Sequence, residues 1–157
     1  MFRSSLPALS IAALIGCVPV EPPVDPIAAR MAEGERVYLN CAEVECGRLD
    51  LDHALMADYS RLGSLNHVTA LMISYTDFSD LSDISAMSQL RELHIGATEV
   101  RDLSGLSAFP NLTLLHAQDL SVDDYSPVSQ LTGLRELVIG NYNVEDISFV
   151  RPLRQLR

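Results

Sequence analysis

The sequence contains no lysine and no block of basic residues. Its 11 cationic side chains are all arginines, scattered along the chain, against 21 acidic residues, so the formal net charge is −10. Contacts with nucleic-acid phosphates need clustered cations, and nucleic acid is therefore not an expected partner. The same acidity disfavours docking on anionic lipid headgroups, and it is compatible with a cationic protein partner or with simple solubility.

The sequence patterns of common catalytic sites are also missing. The chain has no G-x-S-x-G nucleophile motif, no H-E-x-x-H zinc motif and no glycine-rich loop of the kind that cradles phosphates. We therefore expect a protein that is not an enzyme and that needs no cofactor.

Long hydrophobic runs are confined to the N-terminus. Arg3 precedes an apolar run over residues 6–15, which is too short to span a bilayer. The run ends in Leu-Ile-Gly followed by Cys17, which resembles the lipobox of bacterial lipoproteins. That resemblance implies that residues 1–16 are a signal peptide and that Cys17 is acylated, which would anchor the chain to a bacterial cell envelope. The alternative is an ordinary secretory signal with an incidental cysteine.

The stretch after this cysteine is rich in proline. Residues 17–26 hold four prolines and little apolar bulk, which predicts an extended tether that keeps the following domain roughly 25–30 Å from the lipid. Val18 stands where inner-membrane lipoproteins carry an aspartate, so for a Gram-negative source the resemblance favours the outer membrane. No second hydrophobic stretch follows, and the predicted attachment is therefore a lipid anchor and not a membrane span.

Residues 27–48 are predicted to form an N-terminal cap. Ile27, Met31 and Tyr38 are near helical spacing, and a proline suits the first turn, so we expect a helix from Pro26 to Asn40 that Gly34 weakens.

Two cysteines, Cys41 and Cys46, remain besides the one at the lipobox. An even pair in an exported protein predicts a disulfide. A zinc site is the alternative, but it requires two further ligands, and His53 is the only nearby candidate.

Residues 49–157 repeat every 22 residues in five copies, and apolar side chains recur in seven columns. The first two columns are Leu49, Leu71, Leu93, Leu115 and Leu137, then Leu51, Ile73, Ile95, Ala117 and Ile139. Spacing of two within each copy predicts a short strand. The remaining columns are three residues apart, which suits turns and 3₁₀ helix. One strand and one arc per copy predict a coil of a solenoid whose stacked copies share a core.

A polar column accompanies the apolar ones, with aspartate and serine two residues apart in every copy. Its aspartates are Asp58, Asp80, Asp102, Asp124 and Asp146. Such residues accept hydrogen bonds from free N–H groups where helical turns begin, which predicts capping. Calcium binding by stacked carboxylates is the alternative.

These columns resemble the leucine-rich repeats of internalin type over residues 49–157. The resemblance implies an α/β solenoid, a right-handed superhelix with a parallel sheet on its concave side and 3₁₀ segments on its convex side. The usual buried asparagine after the strand is replaced by Thr76, Thr98, Leu120 and Tyr142. Threonine can serve backbone groups there, but the other two cannot in the same way, so we expect a looser stack from Leu120 onward. No polar cap follows the last copy, which predicts an open sheet edge.

The resemblance also implies that the concave strands present the side chains that meet a protein partner. The predicted contact residues are Asp50, Met72, Tyr75, Glu92, His94, Leu114, His116, Gln118, Asp119 and Asn141. We expect a lipid-anchored module for recognition of a protein or other ligand. A merely solvated face is the alternative at these residues.

His94 and His116 should be neighbours on adjacent strands, about 4.8 Å apart. They lack a firm third ligand, so no metal site is predicted, and two close imidazoles could respond to pH. Two other functions stay open: an envelope component that self-associates through its open sheet edge, and a truncated gene product.

Overall fold

The computed structural model describes residues 24–140, 144 and 146–157. The predicted signal peptide, Cys17 and most of the tether lie outside these residues, as do Asn141 and Tyr142. Among the described residues, no helix is both long enough and apolar enough to cross a bilayer.

The N-terminal cap is helix α1, Pro26–Val44, which continues past the predicted end at Asn40. Asp25 caps its start, since its carboxylate accepts a hydrogen bond from the Ile27 N–H at 2.9 Å. The helix ends at Glu45, whose left-handed backbone (φ 52°) turns the chain so that the N–H of Cys46 also reaches the Cys41 carbonyl, at 3.2 Å. Cys41 and Cys46 form a disulfide across this end, with Cα atoms 4.9 Å apart.

Helix α1 packs tightly against the first coil through Gly34. A Cβ atom at Gly34 would overlap the carbonyl oxygen of Leu55, and the Leu55 N–H donates to the Arg30 carbonyl at 3.1 Å. Arg61 of the first coil pairs with Glu35 through contacts of 2.5 and 3.0 Å. The glycine that weakens the sequence-based helix prediction is therefore what allows the helix to approach the solenoid.

Five three-residue strands form one parallel sheet in the order β1-β2-β3-β4-β5. The strands are β1 (Arg48–Asp50), β2 (Ala70–Met72), β3 (Glu92–His94), β4 (Leu114–His116) and β5 (Glu136–Val138). Each residue pairs with the residue one repeat later, as in Leu49 with Leu71 and Leu115 with Leu137. The predicted strand column is thus confirmed.

A short 3₁₀ helix follows each strand on the opposite side of the coil. These helices span Tyr59–Ser64, Leu81–Ile84, Ser104–Ala108, Ser126–Gln130 and Ser148–Val150. In every copy the carboxylate of the recurring aspartate accepts a hydrogen bond from the N–H of the serine two residues later, at 2.7–2.9 Å. Capping by the aspartate column is therefore confirmed. The described residues of the apolar columns lie between sheet and 3₁₀ helices in one continuous core, with the exception of Ile147, which is 61% exposed.

The column that replaces asparagine behaves in two ways. Thr76 and Thr98 each donate their hydroxyl to the carbonyl of the residue directly after a strand, Ile73 or Ile95, at 2.7 and 2.8 Å. Leu120 makes no such bond through its side chain but is only 1% exposed. Apolar burial thus substitutes for the polar bridge, and β5 still pairs with β4 in register. The looser stack expected from Leu120 onward is not found in the strand pairing.

Candidate functional site

The concave surface is built from the side chains that alternate with the buried leucines. We use the name concave face for the two outward columns of the strands. One column holds Arg48, Ala70, Glu92, Leu114 and Glu136, and the other holds Asp50, Met72, His94, His116 and Val138. Neighbouring strands are about 4.8 Å apart, so side chains within one column contact each other.

Two histidines occupy the middle of the concave face. The imidazole rings of His94 and His116 lie 4.3 Å apart, edge to face at 64°. Nε2 of His116 lies 3.0 Å from Oε1 of Glu136 on the next strand. Nε2 of His94 is buried and has no hydrogen-bond partner among the described residues. Burial lowers the pKa of His94, and the neighbouring His116 lowers it further, so the uncharged ring is favoured at this position.

An ion pair crosses the face along its other column. Nη1 of Arg48 lies 2.6 Å from Oε2 of Glu92, although Ala70 of β2 stands between them in the register. The small alanine side chain leaves room for this contact. Sequence reasoning missed Arg48 and Ala70, because the pair joins residues two repeats apart in a column whose residue type changes from copy to copy.

Two aspartates of the first coil accept hydrogen bonds from backbone N–H groups. Oδ1 of Asp50 accepts the Asp52 N–H at 3.1 Å, and Oδ1 of Asp52 accepts the Ser74 N–H at 2.6 Å. Asp50 is exposed, as predicted for a contact residue, but one of its oxygens is already used. These bonds hold the start of the sheet in a fixed shape.

The structure contradicts the predicted accessibility of one contact residue, Met72. Met72 is only 3% exposed, so its side chain is not available to a partner without rearrangement. The register places it between Asp50 and His94 on the neighbouring strands. On an inward-curving surface such neighbours crowd together, and the central apolar side chain is covered.

The remaining predicted residues lie beyond the strand ends and form a separate rim. Tyr75 stacks on His53, with ring centroids 4.5 Å apart and an interplanar angle of 6°. The side chain of Gln118 lies over Gly96, since a Cβ atom added at Gly96 would be 2.5 Å from the amide carbon of Gln118. Asp119 is exposed at the same rim. These three predicted residues therefore lie beside the concave face and not on its strands.

The rim has an unusual backbone that sequence reasoning also missed. In each of the first four coils one residue has a left-handed conformation, with φ between 52° and 62°, and its N–H donates to a carbonyl of the next coil at 2.8–3.0 Å. These residues are His53, Tyr75, Ala97 and Asp119. Asp and His tolerate this conformation comparatively well, whereas Tyr and Ala give no signal of it in a sequence.

The described residues offer no group of three or more His, Cys, Asp and Glu side chains arranged to hold a metal ion.

No family model matches the chain, and no curated protein matches it. Solved structures do match. Internalin C2 from Listeria monocytogenes is 27% identical with a TM-score of 0.63, covering 74% of this chain and 52% of that one. The internalin inlF from the same organism is 26% identical with a TM-score of 0.71, covering 84% of this chain and 44% of that one.

Internalins are leucine-rich-repeat proteins, and this chain has the α/β leucine-rich-repeat solenoid fold. It spans about half the length of the two structures, 52% and 44%.

Proposed function

We propose that this chain is a non-catalytic recognition module that binds a protein partner through its concave face. The observation that carries the proposal is the register of that face, which sets His94 and His116 side by side with half-buried Leu114. Partly buried aromatic and apolar groups surrounded by charged ones, here Glu92 and Glu136, are typical of binding hot spots. The likeness to internalins supports a protein as the ligand and the internalin type of 22-residue coil.

A crosslinking capture experiment tests this proposal. The full chain is expressed in its source cells as wild type and as the double variant Leu114→Glu with His116→Glu. A control variant, Ser88→Glu with Gln130→Glu, adds the same charge at exposed positions outside the strands. We expect at least one protein to be recovered with the wild type and the control and lost with the concave-face variant. Recovery of the same proteins by all three would overturn the proposal.

We further propose that the module is anchored to a bacterial envelope, at the outer membrane, by acylation of Cys17. The support is the sequence pattern around this residue, which lies outside the described residues. Acyl chains contribute roughly 0.8 kcal/mol per buried methylene, so several of them suffice for stable attachment. Metabolic labelling with an alkyne-bearing fatty acid should mark the wild type and not Cys17→Ala. Equal labelling of both chains would exclude this anchor.

Self-association through a sheet edge is a second candidate. Among the described residues β5 pairs with β4 alone, and its Val138 is 38% exposed. Unpaired strand edges can recruit another chain. Sedimentation velocity at rising concentration separates the candidates, because a protein that stays monomeric throughout does not use this edge for assembly.

A further inference from the structure

A groove separate from the concave face lies where helix α1 meets the ends of the first strands. Its volume is about 420 Å³, within the range of roughly 300–1,000 Å³ usual for ligand sites. Ile27 and Leu55 supply apolar walls, Tyr75 supplies an aromatic wall, and Asp77 and Glu99 supply carboxylates. We call this site the cap groove.

Tyr75 is held rigidly in the cap groove. One face of its ring is covered by His53, yet the residue remains 48% exposed. Its backbone is fixed as well, because Arg30 donates from Nε to the His53 carbonyl at 2.6 Å and from Nη2 to the Tyr75 carbonyl at 2.8 Å. A large aromatic group that is both exposed and immobilised loses little conformational freedom when a partner binds.

The charge of the cap groove is acidic. Two carboxylates, Asp77 and Glu99, outnumber its one cation, Arg30, which donates to two carbonyl oxygens. Asp77 accepts the Tyr59 hydroxyl at 2.8 Å through one oxygen only, and the Glu99 side chain is exposed. The carboxylates therefore keep acceptor capacity beside an aromatic surface.

We propose that the cap groove binds an arginine side chain of a partner protein. A guanidinium is planar and can lie against the ring of Tyr75 while it donates hydrogen bonds to Asp77 and Glu99. The aliphatic part of the arginine, and an apolar neighbour, would contact Ile27 and Leu55. This inference rests on the proposed function as a recognition module, but it assigns a second surface that does not include the strands.

Titration of the full chain with capped dipeptides, followed by amide NMR, tests the assignment. The probe is acetyl-Leu-Arg-amide, and acetyl-Leu-citrulline-amide is its uncharged isostere. We expect the arginine probe to shift the resonances of Ile27, Tyr75 and Ala97, and to bind more weakly as salt is added. The citrulline probe should bind several-fold more weakly.

Variants sharpen the result. Asp77→Asn with Glu99→Gln removes both charges and keeps the acceptor for Tyr59, so binding of the arginine probe should be lost. The control, Glu43→Gln with Asp123→Asn, makes the same change of net charge at exposed positions elsewhere and should leave binding unchanged. Tyr75→Leu should weaken binding about two- to fivefold, the value of an exposed cation–π contact.

Shifts confined to the concave strands, equal binding of the citrulline probe, or no shifts at all would overturn the assignment. These outcomes differ from failure of the proposed function. If the concave-face variant loses its crosslinked partner while no probe binds, only the cap groove is refuted. If the arginine probe binds while that variant loses no partner, the concave face is refuted instead.

Discussion

The rings of His94 and His116 meet edge to face at 4.3 Å in the middle of the concave face, and the buried Nε2 of His94 has no partner among the described residues. The His116 ring disfavours a positive charge on His94. Burial lowers the pKa of His94 most, His116 and Arg48 lower it further, and Asp52 and Glu92 act in the opposite direction.

This relationship predicts a stability that depends on pH just below neutrality. Because the pKa of His94 is lowered from its ordinary 6.5 in the folded chain, unfolding takes up a proton in the interval between the two values. The contribution of uncharged His94 to the free energy of unfolding should be complete above about pH 6.5. It should fall as the pH drops toward the lowered pKa of the folded chain. Urea denaturation of wild type and His94→Gln at several pH values measures it. The variant should show a shallower slope, and an unchanged slope would contradict the prediction.

The capping aspartates should affect the stability of the fold only at lower pH. Hydrogen bonds from serine lower the pKa of Asp58, Asp80, Asp124 and Asp146 from the ordinary 3.8, so their contribution is lost only in strong acid. The histidine interval is therefore separate from theirs.

Substitution of Gly34 should reverse the usual sign of a helix mutation. Glycine to alanine inside a helix ordinarily stabilises by about 0.8–1 kcal/mol. At Gly34 the new methyl group would overlap the Leu55 carbonyl oxygen, so helix α1 must move away from the first coil. We expect Gly34→Ala to destabilise by about 1–3 kcal/mol in chemical denaturation, as overpacking does.

Gly47→Ala is the matched control for Gly34→Ala, because a Cβ atom at Gly47 has no neighbour within 4 Å. Its effect should be within about 0.5 kcal/mol. Equal effects of the two substitutions would mean that the helix does not dock through Gly34.

The repeat was sufficient to predict the fold because the same requirement recurs in every copy. Leu93 follows the rule of its column, and it lies in the middle of β3 with no exposure. Asp80 follows the rule of its own column and caps its turn. Because the pattern is repeated in five copies, one atypical residue does not hide it. Leu120 replaces a polar side chain by a buried apolar one, and the strand register is unchanged.

The site was predicted less well because its features occur once. Met72 is covered as a consequence of curvature, which alternation along a strand does not encode. The bond pattern of Arg30 depends on how helix α1 meets the coils, and the Arg48–Glu92 pair depends on a small residue between them. Arg30 lies outside the repeats, and the column that holds Arg48 and Glu92 changes in residue type from copy to copy, so a single sequence carries no pattern for these contacts.

The capping column predicts different effects for two aspartates in the same turn. Asp80 accepts the Ser82 N–H at 2.8 Å, whereas burial and the nearby Asp80 and Asp58 raise the pKa of Asp83. Asp80→Ala should destabilise by about 1 kcal/mol through loss of the cap. Asp83→Ala should be close to neutral at pH 7, since it also removes repulsion between carboxylates. Thermal unfolding of the two variants compares them, and equal losses would argue against capping.

Substitution of Leu93 tests whether the stacked coils share one core. It lies in the central strand with no exposure, and the leucines of β2 and β4 that pair with it are equally buried. Leu93→Ala removes three buried carbon atoms from a core that coils on both sides help to form, so relaxation around the cavity should be limited. We expect a loss of about 2–5 kcal/mol in the free energy of unfolding.

Val138→Ala is the control for Leu93→Ala, since it shortens an apolar side chain on β5 that is already 38% exposed. Its cost should stay below about 1 kcal/mol, because little apolar surface is returned to water. Stacked coils unfold through their shared interfaces, so the loss at Leu93 should lower one cooperative transition and not create a second. A harmless Leu93→Ala would mean that the coils do not share a core, and the concave face would then lose the rigid support on which its proposed recognition depends.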